Sequence, residues 1–125
     1  MPGRARVVES TASSDPSLTD PDVRAAVERA ANSRPLRGSP RLVAFLRYVV
    51  EQTLAGKADA IKSYTVAVEA LGRKPSFDPQ ADPIVRVEAG RLRRALAHYY
   101  ELDGRDDPVV ITLPRGSYVP HVLRR

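Results

Sequence analysis

The sequence predicts one mainly helical domain that ends in a β-hairpin. Three helix starts are marked by a capping residue followed by proline, at positions 20–21, 39–40 and 82–83, and apolar residues recur at helical spacing after each of them. Two runs of β-branched and aromatic residues lie near the end of the chain, on either side of a turn-forming segment. The chain has 125 residues, enough for one compact core and too few to favour two domains.

The N-terminal part predicts an arm followed by a short helix. Residues 1–19 are rich in Ser, Thr, Pro and Arg without an apolar period, which predicts a flexible basic arm in front of a domain over residues 20–125. Asp20 is the expected N-cap of a first helix that runs to Asn32. The linker Ser33–Gly38 contains a proline and ends in a glycine, so it predicts a loop.

Two more helices are expected before the next loop. The helix that starts after Ser39 and ends before Gly56 carries apolar residues over a wide face, which predicts the central core helix. A third helix is expected over about residues 60–71, with Gly72 as a left-handed C-terminal residue. Its expected buried face consists of Ile61, Tyr64, Val68 and Leu71. Residues 73–81 contain prolines that preclude a helix, and they predict a loop.

The long helix Pro83–Leu102 is predicted to bury one face and to expose an arginine-rich one. At about 100° per residue its apolar residues share one sector, which indicates the core side. These residues are Val85, Ala89, Leu92, Ala95, Leu96 and Tyr99. The opposite side consists of Arg86, Gly90, Arg93, Arg94 and Ala97, with Val87 at its margin and Arg91 and His98 on one flank.

The exposed side of this helix has the chemistry of a DNA-contacting surface. Guanidinium groups can donate to base edges or to phosphates, and the small residues Gly90 and Ala97 allow the helix axis to approach a groove. A glycine inside a helix costs about 1 kcal/mol relative to alanine, and a close approach would explain why Gly90 is there. The alternative is an ordinary solvated face, with Glu88 and Arg91 as a surface ion pair.

The two C-terminal runs, Val109–Leu113 and Tyr118–Leu123, predict a hairpin that turns at Pro114–Ser117 and packs on the helices. Arg115 gives this turn a basic tip beside the arginine-rich helix. The combination matches a winged helix, in which the hairpin contacts the DNA backbone or the minor groove. The alternative is a simple turn with an exposed arginine.

Two segments resemble the DNA-binding domains of the OmpR/PhoB family. Residues 85–96 read V-R-V-E-A-G-R-L-R-R-A-L and are similar to the recognition helix of that family, and residues 111–118 read I-T-L-P-R-G-S-Y and resemble its wing. The helix Ile61–Gly72 takes the place of the first helix-turn-helix element. Residues 39–122 look most like the winged-helix-like module at the N-terminus of some bacterial proteins that carry cyclase, tetratricopeptide or propeller domains.

The resemblance implies a winged helix-turn-helix that binds double-stranded DNA as a sequence-selective transcription regulator, with residues 83–102 in the major groove and residues 109–123 as the wing. Its DNA-facing positions correspond to Arg86, Gly90, Arg93, Arg94 and Arg115, and its core positions to Val85, Leu92, Leu96 and Tyr118. We expect Arg86 and Arg93 to read bases and Arg115 to act as an anchor. Arg86 replaces an acidic residue of the family, so no base preference carries over.

The composition favours a polyanionic partner over catalysis. Lys and Arg number 20 against 15 Asp and Glu, a net charge of +5. The chain has no cysteine, and neither His98 nor His121 stands in a catalytic or metal-ligand spacing. We therefore expect no enzymatic activity, cofactor, metal or small-molecule ligand. No apolar run is long enough to span a membrane, which predicts a cytoplasmic protein without membrane contact.

Other functions stay open at this point. A winged helix can also serve as a protein-interaction or oligomerisation module, whose binding would depend only weakly on salt. A homodimer on paired half-sites is compatible with the fold, but no apolar seam marks its interface. Four tyrosines could stack on single strands or could belong to the core and its rim, namely Tyr48, Tyr64, Tyr99 and Tyr100. The acidic run Asp103–Asp107 indicates a solvated loop rather than an active site.

Overall fold

The computed structural model describes residue 15 and residues 17–125, which form a mainly helical protein with a C-terminal antiparallel hairpin, as predicted. In chain order the elements are α1 (Asp20–Ala31), α2 (Arg34–Arg37), α3 (Pro40–Leu54), a 3₁₀ turn (Ala58–Ala60), α4 (Ser63–Thr65, continued by a π-helix over Val66–Ala70), α5 (Ile84–Glu101), β1 (Val109–Thr112) and β2 (His121–Arg124). None of the described helices is long and apolar enough to cross a membrane.

The helices start where the proline signals place them, but the N-cap of α1 was predicted one residue too late. Thr19 is the cap, because its hydroxyl accepts a hydrogen bond from the backbone N–H of Asp22 at 3.2 Å. The Asp22 carboxylate accepts the N–H of Thr19 in return, at 3.0 Å. This reciprocal capping box satisfies two N–H groups at once, and it leaves Asp20 as the first helical residue.

The linker 33–38 is not the loop that its proline and glycine predicted. It contains α2, a single helical turn with Pro35 near its start. Proline is tolerated there, because the first N–H groups of a helix have no intrahelical partner. Leu36 points from this turn into the core and is fully buried. The turn contacts α3 and α5, so burial of one leucine stabilises a helix too short for periodicity to reveal.

The predicted buried face of the third helix was right for Ile61 only. The buried side chains are those of Ile61, Val66 and Ala67, whereas Tyr64 is 41% exposed. Val68 and Leu71 are only half-buried, because they follow the start of a π-helical stretch in which the N–H of Leu71 bonds the carbonyl of Val66, five residues back. The wider turn shifts each later residue around the axis, so the ordinary helical spacing does not apply. Gly72 has a φ of 73°, as its predicted left-handed role requires.

The two long helices form the centre of the core, as predicted. α3 packs against α1, α2 and α5, and α5 also contacts β1. The buried residues of α3 are Leu42, Phe45, Leu46, Val49 and Val50, and those predicted for α5 are buried except Ala95, which is half-buried. Burying a large apolar side chain contributes about 1.5–3 kcal/mol, so this contact between α3 and α5 is a major source of stability.

The hairpin pairs Val109 with Arg124 and Thr112 with His121, and its connection is longer than predicted. We call residues 113–120 the hairpin loop. The second strand was expected from Tyr118, but it starts after Pro120, which is fully buried. Proline has no N–H to donate to a ladder, which disfavours strand pairing at this position.

Asp107 ties the helices to the hairpin and corrects the expectation of a solvated acidic loop. Its carboxylate accepts hydrogen bonds from Nη2 and Nε of Arg29 at 2.9 and 3.0 Å, from the Tyr99 hydroxyl at 2.7 Å and from the N–H of Val109 at 3.0 Å. Burial alone would raise the pKa of the Asp107 carboxyl, but these hydrogen bonds outweigh it and hold the pKa below its usual range. Asp103, in the same run, pairs with Arg34.

The segment before α1 contacts the last strand. Asp15 accepts the backbone N–H of Arg124 at 3.2 Å, and the Arg124 side chain bonds the hydroxyl of Ser17 at 3.1 Å. Leu18 packs against the core. The predicted arm over residues 1–19 therefore does not extend through this segment, and residues 1–14 lie outside the part of the chain described.

Candidate nucleic-acid interface

The outward side of α5 carries the residues that the helical pattern placed there. Arg86, Arg94 and Ala97 are exposed, and Arg91 is exposed on the flank. Gly90 lies between them and is half-buried. Val87 is also largely exposed, at 47%, so this face combines cationic groups with a small apolar centre.

Gly90 is shielded by an arginine rather than by the core. A Cβ atom built on Gly90 would lie 3.6 Å from Nη1 of Arg94, which is an ordinary van der Waals distance. An alanine would therefore fit without displacing other atoms. The fold does not require glycine at this position, where it lowers helix stability by about 1 kcal/mol relative to alanine.

Arg93 differs from its neighbours because its guanidinium contacts the hairpin loop. Its Nε donates to the carbonyl of Leu113 at 2.7 Å. Its Nη2 reaches the carbonyls of Pro114 at 3.3 Å and Ser117 at 3.2 Å. The sequence placed Arg93 among the outward arginines, and no local pattern could have revealed partners about twenty residues further along the chain.

The hairpin loop brings Arg115 towards the start of α5. Arg115 is exposed and precedes Gly116, whose φ of 88° permits the tight turn. A groove of about 630 Å³ runs between this loop, α5 and the start of α4. Its basic lining residues are Lys62, Arg86, Arg93 and Arg115, with Asp59 as the acidic one. Sequence reasoning missed Lys62, because the predicted helix began at about residue 60 and the lysine directly precedes the observed start of α4.

Six arginine side chains among residues 15 and 17–125 make no hydrogen bond or ion pair, and two of them are Arg37 and Arg105. The other four lie on α5 and on the hairpin loop, and each is exposed. We call these residues, Arg86, Arg91, Arg94 and Arg115, the arginine surface. The alternative surface pair of Glu88 with Arg91 is not formed. Glu88 is buried and meets Arg41 of α3 at 3.5 Å, because residue 88 lies on the side of α5 that faces α3.

The tyrosines considered for stacking are held by intramolecular hydrogen bonds. Tyr48 donates to Glu69 at 2.8 Å, and Tyr64 donates to the carbonyl of Pro75 at 2.9 Å. Tyr99 is buried and its hydroxyl donates to Asp107, and the hydroxyl of Tyr100 accepts the N–H of Ile111 at 2.7 Å. Burial raises the pKa of Tyr100 to about 12. The hydroxyls of these side chains support the fold.

No group of three or more His, Asp or Glu residues in the described part of the chain could hold a metal ion. The chain matches no protein-family model, no curated protein and no solved structure. Any functional conclusion must therefore come from the arrangement of its own residues.

Proposed function

We propose that this protein is a winged helix-turn-helix that binds double-stranded DNA, with α5 as the recognition helix and the hairpin loop as the wing. One observation carries the proposal: the arginine surface presents four guanidinium groups without intramolecular partners on α5 and on the loop beside it. Unpaired cations attract phosphates strongly, because their charge is not cancelled by a neighbouring acid.

The shape of the surface favours duplex DNA. A major groove about 12 Å wide admits one α-helix. Gly90 and Ala97 have small side chains, so they would let the axis of α5 lie close to the groove floor. Single strands are bound chiefly by stacking on exposed aromatic rings. The four tyrosine hydroxyls make intramolecular hydrogen bonds, and among these four residues only Tyr64 is exposed. The described chain therefore offers few rings for stacking.

We propose a division of labour within the surface. Arg86 and Arg94 act as base readers on either side of Gly90, and Arg115 anchors the wing on phosphates or in the minor groove. Arg91, on the flank, contacts phosphate. Such a protein would act as a transcription regulator in the cytoplasm, where its target DNA is found.

The test begins with selection of bound fragments from a random duplex pool, followed by binding titrations over a range of salt concentrations. We expect log affinity to fall linearly with log salt, because bound cations displace condensed counterions. Arg86→Ala and Arg94→Ala should each weaken binding by about tenfold or more, and each should relax the preference at one base pair.

The matched control is Arg47→Ala, which removes the same charge from α3. Arg47 is exposed but pairs with Glu28, so its loss should leave affinity within about twofold of the wild type. Absence of duplex binding would instead favour the protein-interaction module, and duplex binding that does not weaken with salt would contradict the electrostatic account. An Arg47→Ala variant as weak as Arg86→Ala would show that only net charge matters.

A further inference from the structure

We infer that Arg93 fastens the hairpin loop to α5, so that the recognition helix and the wing meet DNA as one rigid surface. Arg93 is then a positioning residue and not a base reader. The inference rests on the proposed function for its effect on DNA binding, but the contact itself can be measured without DNA.

Three hydrogen bonds define the contact. Nε of Arg93 donates to the carbonyl of Leu113, and Nη2 donates to those of Pro114 and Ser117, all within 3.3 Å. The two nitrogens belong to one planar fork, so they fix both the distance and the orientation of the loop. A lysine, whose charge is concentrated at one point, could not span these acceptors.

Leu113 and Pro120 are buried and Val119 packs on the core, so the base of the loop is held, but its tip at residues 115–117 has few other contacts. The strand ladder ends at Thr112 and His121, so it does not extend over residues 113–120. Ser117 accepts the N–H of Val119 within the loop, and the Tyr118 ring meets the edge of Phe45 at 6.1 Å. Residues 115–117 are exposed, which leaves Arg93 as the main described link between the tip and α5.

Fastening the loop should strengthen DNA binding, because it removes part of the entropic cost of ordering the loop on DNA. A mobile loop loses conformational freedom when it docks, about 0.5–1.5 kcal/mol for each immobilised side chain. A loop already held beside α5 presents Arg115 at a set distance from Arg86, and both residues line one groove. Arg93 therefore acts on affinity through Arg115.

The first measurement uses the free protein. Arg93→Met keeps the length of the side chain and removes its donors, and Arg94→Met is the matched control on the exposed face. Backbone order parameters for residues 115–117 should fall from about 0.85, typical of a rigid chain, to below about 0.6 in Arg93→Met only. Unchanged order in a folded Arg93→Met variant would overturn the inference.

The second measurement is a double-mutant cycle on the selected DNA site. Arg115→Ala should weaken binding by about tenfold in the wild type, but by less than about threefold when Arg93→Met is already present, because the loop is no longer held. Arg86→Ala should keep its full effect in the same background. Additive losses would overturn the inference, and so would an Arg93→Met variant that changes preference at one base pair.

These two measurements separate failure of the inference from failure of the proposed function. If the wild type binds no duplex DNA, the proposed function fails, while the order parameters still decide whether Arg93 holds the loop. If DNA is bound and the order parameters do not change, only the inference fails.

Discussion

The arginines of α1 and α3 and those of α5 have opposite surroundings. On α1 and α3 every arginine meets an acid: Arg24 with Glu51, Arg29 with Asp107, Arg41 with Glu88 and Arg47 with Glu28. On α5 no arginine pairs with an acid in the described chain. The same residue type therefore neutralises one region and leaves the other strongly positive. A net charge of +5 understates this difference.

The two regions also differ in what their arginines do for stability. Exposed ion pairs contribute about 0–1 kcal/mol each, so the Arg24–Glu51 and Arg47–Glu28 pairs cancel charge more than they hold the fold. The pairs of Arg29 with Asp107 and of Arg41 with Glu88 differ from these, because both carboxylates are buried. Mutations in the two regions should consequently separate stability from DNA binding.

The largest expected effect is on the arginine-rich face of α5. Gly90→Leu should weaken specific binding by about a hundredfold, because the new side chain holds the helix away from the groove floor and disrupts several base contacts. Gly90→Ala is the matched control for helix stability, and both variants should be as stable as the wild type or up to about 1 kcal/mol more stable. Tight specific binding by a folded Gly90→Leu variant would mean that this face does not enter a groove.

The paired region should respond in the opposite way. Asp107→Ala leaves the buried Tyr99 hydroxyl without its acceptor and Arg29 without its acid, and it should lower the free energy of unfolding by about 2–3 kcal/mol. Urea unfolding measures this loss. DNA affinity of the folded fraction should stay within about twofold of the wild type. A stable Asp107→Ala protein with weakened DNA binding would contradict the separation of the two regions.

The smallest effect is a pH dependence that belongs to the paired region. The pKa of Asp107 is lowered in the folded protein, so its ionised form contributes stability above its unfolded pKa of about 4, and this contribution is lost as the pH falls below that value. The unfolding free energy of the wild type should therefore decline more steeply below pH 4 than that of Asp107→Asn. Equal slopes would assign acid sensitivity to other carboxylates.

Sequence reasoning succeeded where local pattern decides the structure. The apolar spacing of α3 and α5 identified both helices, and the proline signals placed the helix starts to within one residue. It failed for most of the buried face of the third helix, where a π-helical stretch changes the spacing, and for α2, where one buried leucine stabilises a single turn.

The candidate site divides in the same way. The exposure of Arg86, Arg91 and Arg94 follows from helical geometry and could be predicted from the sequence. The partners of Arg93 and Glu88 could not, because they depend on which distant segments pack against α5. Whether an arginine is free is decided by tertiary contacts that no local pattern contains.

The two-stranded sheet has a further consequence for the behaviour of the protein at high concentration. An open sheet edge offers backbone groups that can pair with a strand from another molecule and start aggregation. On β1 the N–H of Ile111 is taken by the hydroxyl of Tyr100, and on β2 the N–H of Arg124 is taken by Asp15. Side chains from outside the sheet thus occupy a donor on each edge, which discourages strand-to-strand association between molecules.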